Sequence, residues 1–266
     1  FFSKFTKNFT GKNDSDNNLN ISIQTVSNDK YLQLYKIKTD LVDYNEKTLE
    51  SSIEFSHQKD DFFLGIDAKV FETLQENYTD KYEYILPEIS INKNLFNDQK
   101  FGNLDLETNL QIRNYDTNKV ENFFVNNFNW NSKDFYLKNG IKNKFLGNVR
   151  NINFETKNVD LFKEQPTSEL FATLGLLSEL DLQKTNGESR HLLTPKMLIR
   201  YSPGQMREEL TGSRINPTSA FTLNRLNEEK NNEAGLNATL GFDYKINENF
   251  DFSVAQIINE KENKKM

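Results

Sequence analysis

The chain has 266 residues, a formal net charge of −6 and no cysteine, which excludes a disulfide framework and thiolate metal sites and leaves no basic face of the kind that binds nucleic acid. Charged residues make up 27% and the mean hydropathy is −0.74, yet aromatics reach 12% and there are only 5 prolines, so the chain can collapse on itself and does not read as disordered. No apolar run approaches the roughly 18 residues that a membrane-crossing helix requires.

Taken from the amino terminus, Phe1-Phe2-Ser3-Lys4 shows no signal-peptide pattern, and Met266 follows a Lys/Glu/Asn-rich run without a closing strand, so the chain reads as an internal fragment. Asn13-Asp14-Ser15-Asp16-Asn17-Asn18 reads as a solvated turn, because the Gly and Glu of a calcium-binding loop are missing at their offsets. After the turn cluster Gln58-Lys59-Asp60-Asp61 the apolar residues fall into a period of two: Leu64, Ile66, Ala68 and Val70 alternate with Gly65, Asp67 and Lys69. A helix would scatter such residues around its circumference, whereas a strand puts them on one side. Leu104, Leu106, Leu110 and Ile112 repeat the pattern against Asp105, Glu107, Asn109, Gln111 and Arg113. Val120, Phe124, Phe128 and Trp130 share one parity, as do Leu137, Ile141, Phe145 and Val149. The most apolar strand is expected from Leu170 to Leu182. The clearest is Leu236, Ala238, Leu240, Phe242, Tyr244 and Ile246 against Asn237, Thr239, Gly241, Asp243 and Lys245. Phe250, Phe252 and Val254 begin another.

Tight clusters such as Asn97-Asp98-Gln99-Lys100, Asn131-Ser132-Lys133-Asp134 and Asn247-Glu248-Asn249 suit hairpins, while Pro203–Asn232 is a long excursion. The sum is an all-β, antiparallel chain of roughly 10–12 strands, many near the roughly 9–11 residues that cross a bilayer at a tilt, with no amphipathic helix. Pro87 and Pro195 lie inside strand-like segments, and each should mark a strand end, a bulge or weak pairing. Long strands and aromatics near their ends (Tyr82, Tyr84, Trp130, Phe135, Tyr136, Tyr201, Tyr244) favour a transmembrane barrel, and charge on the polar faces suits a wet lumen. A long-stranded soluble β protein and a β-solenoid stay open on periodicity alone. The two histidines, His57 and His191, fall in separate strands, and no carboxylate pair is singled out, so neither a metal site nor catalysis is indicated, and no cofactor.

In the second half, Arg190-His191-Leu192-Leu193-Thr194-Pro195-Lys196-Met197-Leu198-Ile199-Arg200-Tyr201-Ser202-Pro203 resembles a strand of the lipopolysaccharide-assembly family LptD (OstA). Phe221-Thr222-Leu223-Asn224-Arg225, then Glu233-Ala234-Gly235-Leu236-Asn237 and Gly241-Phe242-Asp243-Tyr244, follow in an order similar to the same family's mid-barrel region. Upstream, Asp29-Lys30-Tyr31-Leu32 and Tyr84-Ile85-Leu86-Pro87-Glu88-Ile89 resemble its early barrel strands. The family often carries an Asp-Arg pair and a Gly after its Asn-Arg; this chain has Leu226-Asn227-Glu228-Glu229-Lys230-Asn231-Asn232 there, so no role of that pair carries over.

The resemblance implies that residues 1–266 are part of a large outer-membrane barrel of a Gram-negative bacterium, lacking the family's N-terminal jellyroll and closing strands. It implies transport of lipopolysaccharide into the outer leaflet, with an LptE-like lipoprotein plug and the periplasmic Lpt bridge as partners, and no enzyme activity. The family-motif positions are Tyr31, Leu32, Leu86, Pro87, Glu88, His191, Pro195, Tyr201, Asn224, Arg225, Glu233, Gly235, Gly241 and Tyr244. Arg113, Lys196 and Arg200 are cations that could meet phosphates from the lumen wall. A passive porin or receptor barrel, and a soluble adhesion or carbohydrate-binding module, are the competing readings.

Overall fold

In the computed structural model the described residues are all except 12–13, 77, 117, 209–214, 227–228 and 261–266. They form fourteen strands: β1 (Phe2–Thr10), β2 (Asp16–Gln24), β3 (Thr48–Lys59), β4 (Phe62–Thr73), β5 (Tyr82–Asp98), β6 (Gly102–Tyr115), β7 (Lys119–Asn131), β8 (Phe135–Tyr136), β9 (Lys142–Lys157), β10 (Thr167–Glu179), β11 (Leu182–Asn186), β12 (Ser189–Ser202), β13 (Gly235–Ile246) and β14 (Phe250–Asn259). All belong to one sheet in the order β1-β2-β3-β4-β5-β6-β7-β9-β10-β12-β13-β14, with β8 beside β9 and β11 beside β12. Sequence neighbours pair antiparallel, and among the described residues no pairing joins β1 to β14, so the sheet is open.

The expected count of ten to twelve holds for the main path, and the two additions, β8 and β11, are only 2 and 5 residues long, too short to show a period. The apolar stretch from Leu170 to Leu182 is accordingly two strands, β10 ending at Glu179 and β11 beginning at Leu182. Among the described residues helix is confined to one α-turn, α1 (Tyr31–Leu34), and a 3-10 turn at Ser219–Phe221. Tyr31 and Leu32, expected in an early strand, lie in α1 instead. Leu32 is buried with Val42 and Leu49 under Val26, Tyr31 and Ile37, so apolar contact rather than strand pairing fixes this segment.

The alternation is realised with its faces reversed relative to a soluble sheet. On β13, Leu236 and Leu240 are exposed, Leu240 at 45%, while Asn237 and Thr239 between them are buried, Thr239 at 0%. On β12, Ile199 and Tyr201 are exposed and Arg200 and Ser202 are buried. Phe145 and Val149 of β9 are exposed against buried Asn148 and Arg150; Phe124 and Phe128 of β7 against buried Glu121 and Asn127. More of the buried side chains are polar than apolar among the described residues.

The turns close as their residue types demand. Lys59 pairs with Phe62 across Asp60-Asp61, and Asp60 takes a left-handed φ of 49°. Asn186 pairs with Ser189 across Gly187-Glu188, and Ile246 with Phe250 across Asn247-Glu248-Asn249. Pro87 sits where the β4–β5 register shifts between Asp67 and Lys69, the bulge that a missing N–H favours. Pro195 does not end β12. Its strand pairs with β10 up to Lys196 and with β11 from Leu193, so Pro195 occupies the junction between two partners, where no ladder donor is required on that side.

By contact density the chain divides into two compact units, one of 1–93, 106–126 and 152–169, the other of 94–105, 127–151 and 170–266. In the first, the cluster around Leu32 and a Phe123–Phe154–Phe162 triad supply the apolar contacts, with Phe162 edge-on to both rings at 4.8 and 5.3 Å. The second is held mainly by polar contacts, described below.

Glycine substitutions separate two kinds of constraint. Gly102 has φ +93°, and a Cβ there would lie 2.0 Å from the Asn131 carbonyl oxygen; Gly187 has φ +58° with nothing within 4 Å. Gly187→Ala is expected to cost about 1–2 kcal/mol from the left-handed backbone alone, and Gly102→Ala clearly more. Denaturant midpoints of the two variants in the full-length protein measure the difference, and equal midpoints would contradict the close approach.

Candidate functional site

The site is the buried polar face of the second unit, built on β9, β10, β12, β13 and β14. Nearest the tight turns, one line of charges crosses it. Lys142 Nζ lies 2.6 Å from Glu179, Lys196 Nζ 3.7 Å from Glu179 and 2.5 Å from Asp243, and Ser253 donates to Asp243 at 2.7 Å. Each partner comes from a neighbouring strand, and the signs alternate so that no cation on this line stands alone. The ring of Phe221, from the long connection after β12, lies 6.0 Å from Lys196 Nζ.

Further along, the Cα positions of Arg200 and Asn237 are partners across β12 and β13, and both side chains point to the buried face. Glu233, just before β13, receives Arg200 Nη1 at 3.1 Å on its carboxylate and Arg200 Nη2 at 2.5 Å on its carbonyl. Arg225 of the connection grips the same carboxylate with two N–H groups, Nε at 2.8 Å to Oε2 and Nη2 to Oε1. With the Asn237 amide oxygen turned toward the guanidiniums, it accepts from Arg200 Nη1 at 2.9 Å and Arg225 Nη2 at 3.1 Å. Two guanidiniums thus share one carboxylate. Burial and the Arg200 charge lower the Arg225 guanidinium to about 10, so it stays protonated at neutral pH.

The neighbouring residues of the connection are fixed as well. Asn224 Oδ1 accepts from the Glu233 N–H at 3.3 Å, Thr239 Oγ1 donates to the Ala220 carbonyl at 3.0 Å, and Asn232 Nδ2 donates to Ser202 Oγ at 2.9 Å. Arg150 on β9 donates to Asn127 Oδ1 and to the Asn231 carbonyl, both at 2.5 Å. Two glycines make room. A Cβ at Gly175 would meet Leu223 Cδ2 at 2.6 Å, and one at Gly241 would meet Phe221 Cζ at 3.1 Å and the Val254 carbonyl at 2.1 Å.

The structure therefore brings together Asn224, Arg225, Glu233, Gly241, Arg200 and Lys196 from the residues singled out by sequence. Gly235 adopts φ +102° at the return into β13. His191 Nδ1 is 2.8 Å from Tyr244 Oη, with the rings stacked, and Tyr201 is exposed on the apolar face. Leu86, Pro87 and Glu88 belong to the other unit, where Leu86 is exposed and Glu88 accepts from Gln111 at 3.3 Å. There too, Arg113 donates to Glu83 at 2.6 Å and lies 4.0 Å over the Tyr115 ring, and Asp29 and Glu72 hold Lys81 above the usual lysine range. Asn227 and Glu228 of the departing loop lie outside the described residues. Sequence reading did not single out Asn231, Asn232, Asn237 and Thr239 as site residues; Asn237 and Thr239 share the parity of the polar face of β13, whereas Asn231 and Asn232 lie in the connection before that strand and carry no period. Among the described residues no cluster of His, Cys, Asp and Glu is arranged to hold a metal.

A protein-family model described as LptD, LPS transport system D, matches residues 4–266. A search of curated proteins gives no match.

Removing Glu233 strands two buried guanidiniums, whereas removing Arg225 leaves Glu233 still paired with Arg200. Glu233→Gln is expected to destabilise the folded protein by about 3–5 kcal/mol, the range for breaking a buried pair, and Arg225→Gln by less. Denaturant titration checks the order, and Arg225→Gln proving the more damaging would contradict the shared-carboxylate geometry.

Proposed function

Because the chain belongs to the LptD family of lipopolysaccharide-transport proteins, we propose that it forms part of the wall of an outer-membrane β-barrel that delivers lipopolysaccharide to the outer leaflet. The observation that supports this best is the reversed polarity of the strands. Fully burying one Leu, Phe or Ile contributes about 1.5–3 kcal/mol, and here such side chains stand exposed in rows on β9, β12, β13 and β14. An exposed apolar face this extensive needs a solvent other than water, and hydrocarbon supplies it. The polar face then meets a wet lumen, where hydroxyl- and phosphate-bearing head groups can exchange hydrogen bonds with the wall. Arg113, Lys196 and Arg200 are in this reading the wall's cations, each held by a carboxylate in the structure.

Within this proposal residues 1–266 supply barrel strands, while the jellyroll that receives lipopolysaccharide from the periplasmic bridge is a separate domain. A lipoprotein of the LptE kind fills the lumen. The family is one of transport and assembly, and the described residues of the site are engaged in ion pairs and hydrogen bonds.

Depleting the full-length protein should lower newly made lipopolysaccharide at the cell surface, with recovery when the gene is restored; unchanged surface arrival would sink the transport reading. Purified in detergent, the protein should migrate differently before and after boiling and should carry a lipoprotein with it, and an empty, ion-conducting barrel would favour a porin instead. Leu240→Arg tests the lipid contact. It should cost about 2–4 kcal/mol of stability in vesicles if Leu240 lies near the bilayer midplane, whereas an aqueous face would tolerate it.

A further inference from the structure

Ala220–Arg225 lies across the polar face of the second unit and touches three of its strands. Leu223 occupies the space left by Gly175 on β10, Phe221 sits by Gly241 on β13 and near Lys196 on β12, and the Ala220 carbonyl is held by Thr239. Arg225 fastens its end to Glu233. We propose that this segment is a removable closure, docked through Arg225 and lifted when a polar head group moves along the face beneath it; the inference rests on the transport reading given above.

The clasp has the chemistry of something that can be undone. Two guanidiniums and one carboxylate leave an excess positive charge in a buried place, and the desolvation of three ions offsets much of their attraction. Among the described residues the network is also incomplete: Arg200 Nε, Arg225 Nη1 and Asn232 Oδ1 are buried without a protein partner. A fully satisfied network would fix one arrangement, while a partly satisfied one holds its members by a narrow margin. What remains is the lodging of two side chains, Phe221 and Leu223, in glycine-lined spaces. Lifting the segment frees Thr239 from the Ala220 carbonyl beside Arg200 and Asn237, which stay on Glu233, and so opens a group of donors and acceptors suited to phosphate and hydroxyl groups.

Thiol chemistry tests this in the full-length protein in its own membrane; residues 1–266 contain no cysteine, and any cysteine elsewhere in the protein is first replaced by serine. Thr239→Cys should react slowly with a membrane-impermeant maleimide while the closure is docked, and at least tenfold faster when combined with Arg225→Ala. Arg225→Lys, which keeps the charge but loses the two-pronged grip, should fall between. Equal rates in all three would show that the segment does not cover the face. In the pair Ala220→Cys and Thr239→Cys, bridging by a short bis-maleimide or a disulfide should reduce lipopolysaccharide arrival at the surface several-fold, and a reductant should restore it for the disulfide. Full bridging with normal arrival would overturn the requirement for lifting. If depletion of the unmodified protein leaves surface lipopolysaccharide unchanged, the transport reading fails, and the maleimide rates still decide whether the closure exists.

Discussion

A sheet that turns its apolar side chains outward must satisfy its polar ones among themselves, and this constraint governs the second unit. Lys142 meets Glu179, and Lys196 meets Glu179 and Asp243, across adjacent strands, while Arg200 meets Glu233 just before β13. Because β-strands place neighbours about 4.5–5.5 Å apart at Cβ, long side chains of opposite sign reach one another across the ladder without leaving their strands. The role that an apolar core plays in a soluble domain passes here to a lattice of ion pairs and side-chain hydrogen bonds. The first unit keeps small apolar clusters, each beneath a connection folded over the sheet, as at Leu32 and Leu49 and at Phe123 and Phe154.

Much of this was legible in the order of residues. The parity of β13, Leu236 through Ile246 against Asn237 through Lys245, sorts its side chains onto two faces without any further information. Turn positions were legible for the same kind of local reason, since Asp60 and Asn247 tolerate left-handed backbone. What periodicity cannot express is which of the two faces is covered; that emerges only when the polar set proves to be the buried one.

The less legible features depend on contacts between distant residues. Arg200 reads from sequence as a cation on a lumen face; its parity places it on the buried polar face of β12, where its burial accompanies the contact with Glu233 before β13. Nothing near Gly175 announces Leu223, and nothing near Arg150 announces Asn231. A single helical turn such as Tyr31–Leu34 is too short to carry a 3.6-residue pattern, so an expected strand proved to be a helix. Pro195 was read by its missing N–H, correctly as a constraint on pairing, yet its position inside β12 is set by the handover between β10 and β11.

The two glycine-lined spaces bear on the order in which the unit assembles. Leu223 can lodge only after β10 has come alongside β12, and the Asn231 carbonyl can meet Arg150 only when β9 is also in place, a separation of 81 residues along the chain. Contacts across such separations form late, because the loop-closure entropy must be met before they can contribute. The connection after β12 therefore docks onto finished wall and not onto a partial one. Its seating reports that β9, β10, β12 and β13 have reached their register, which makes it an internal marker of completed assembly of the unit.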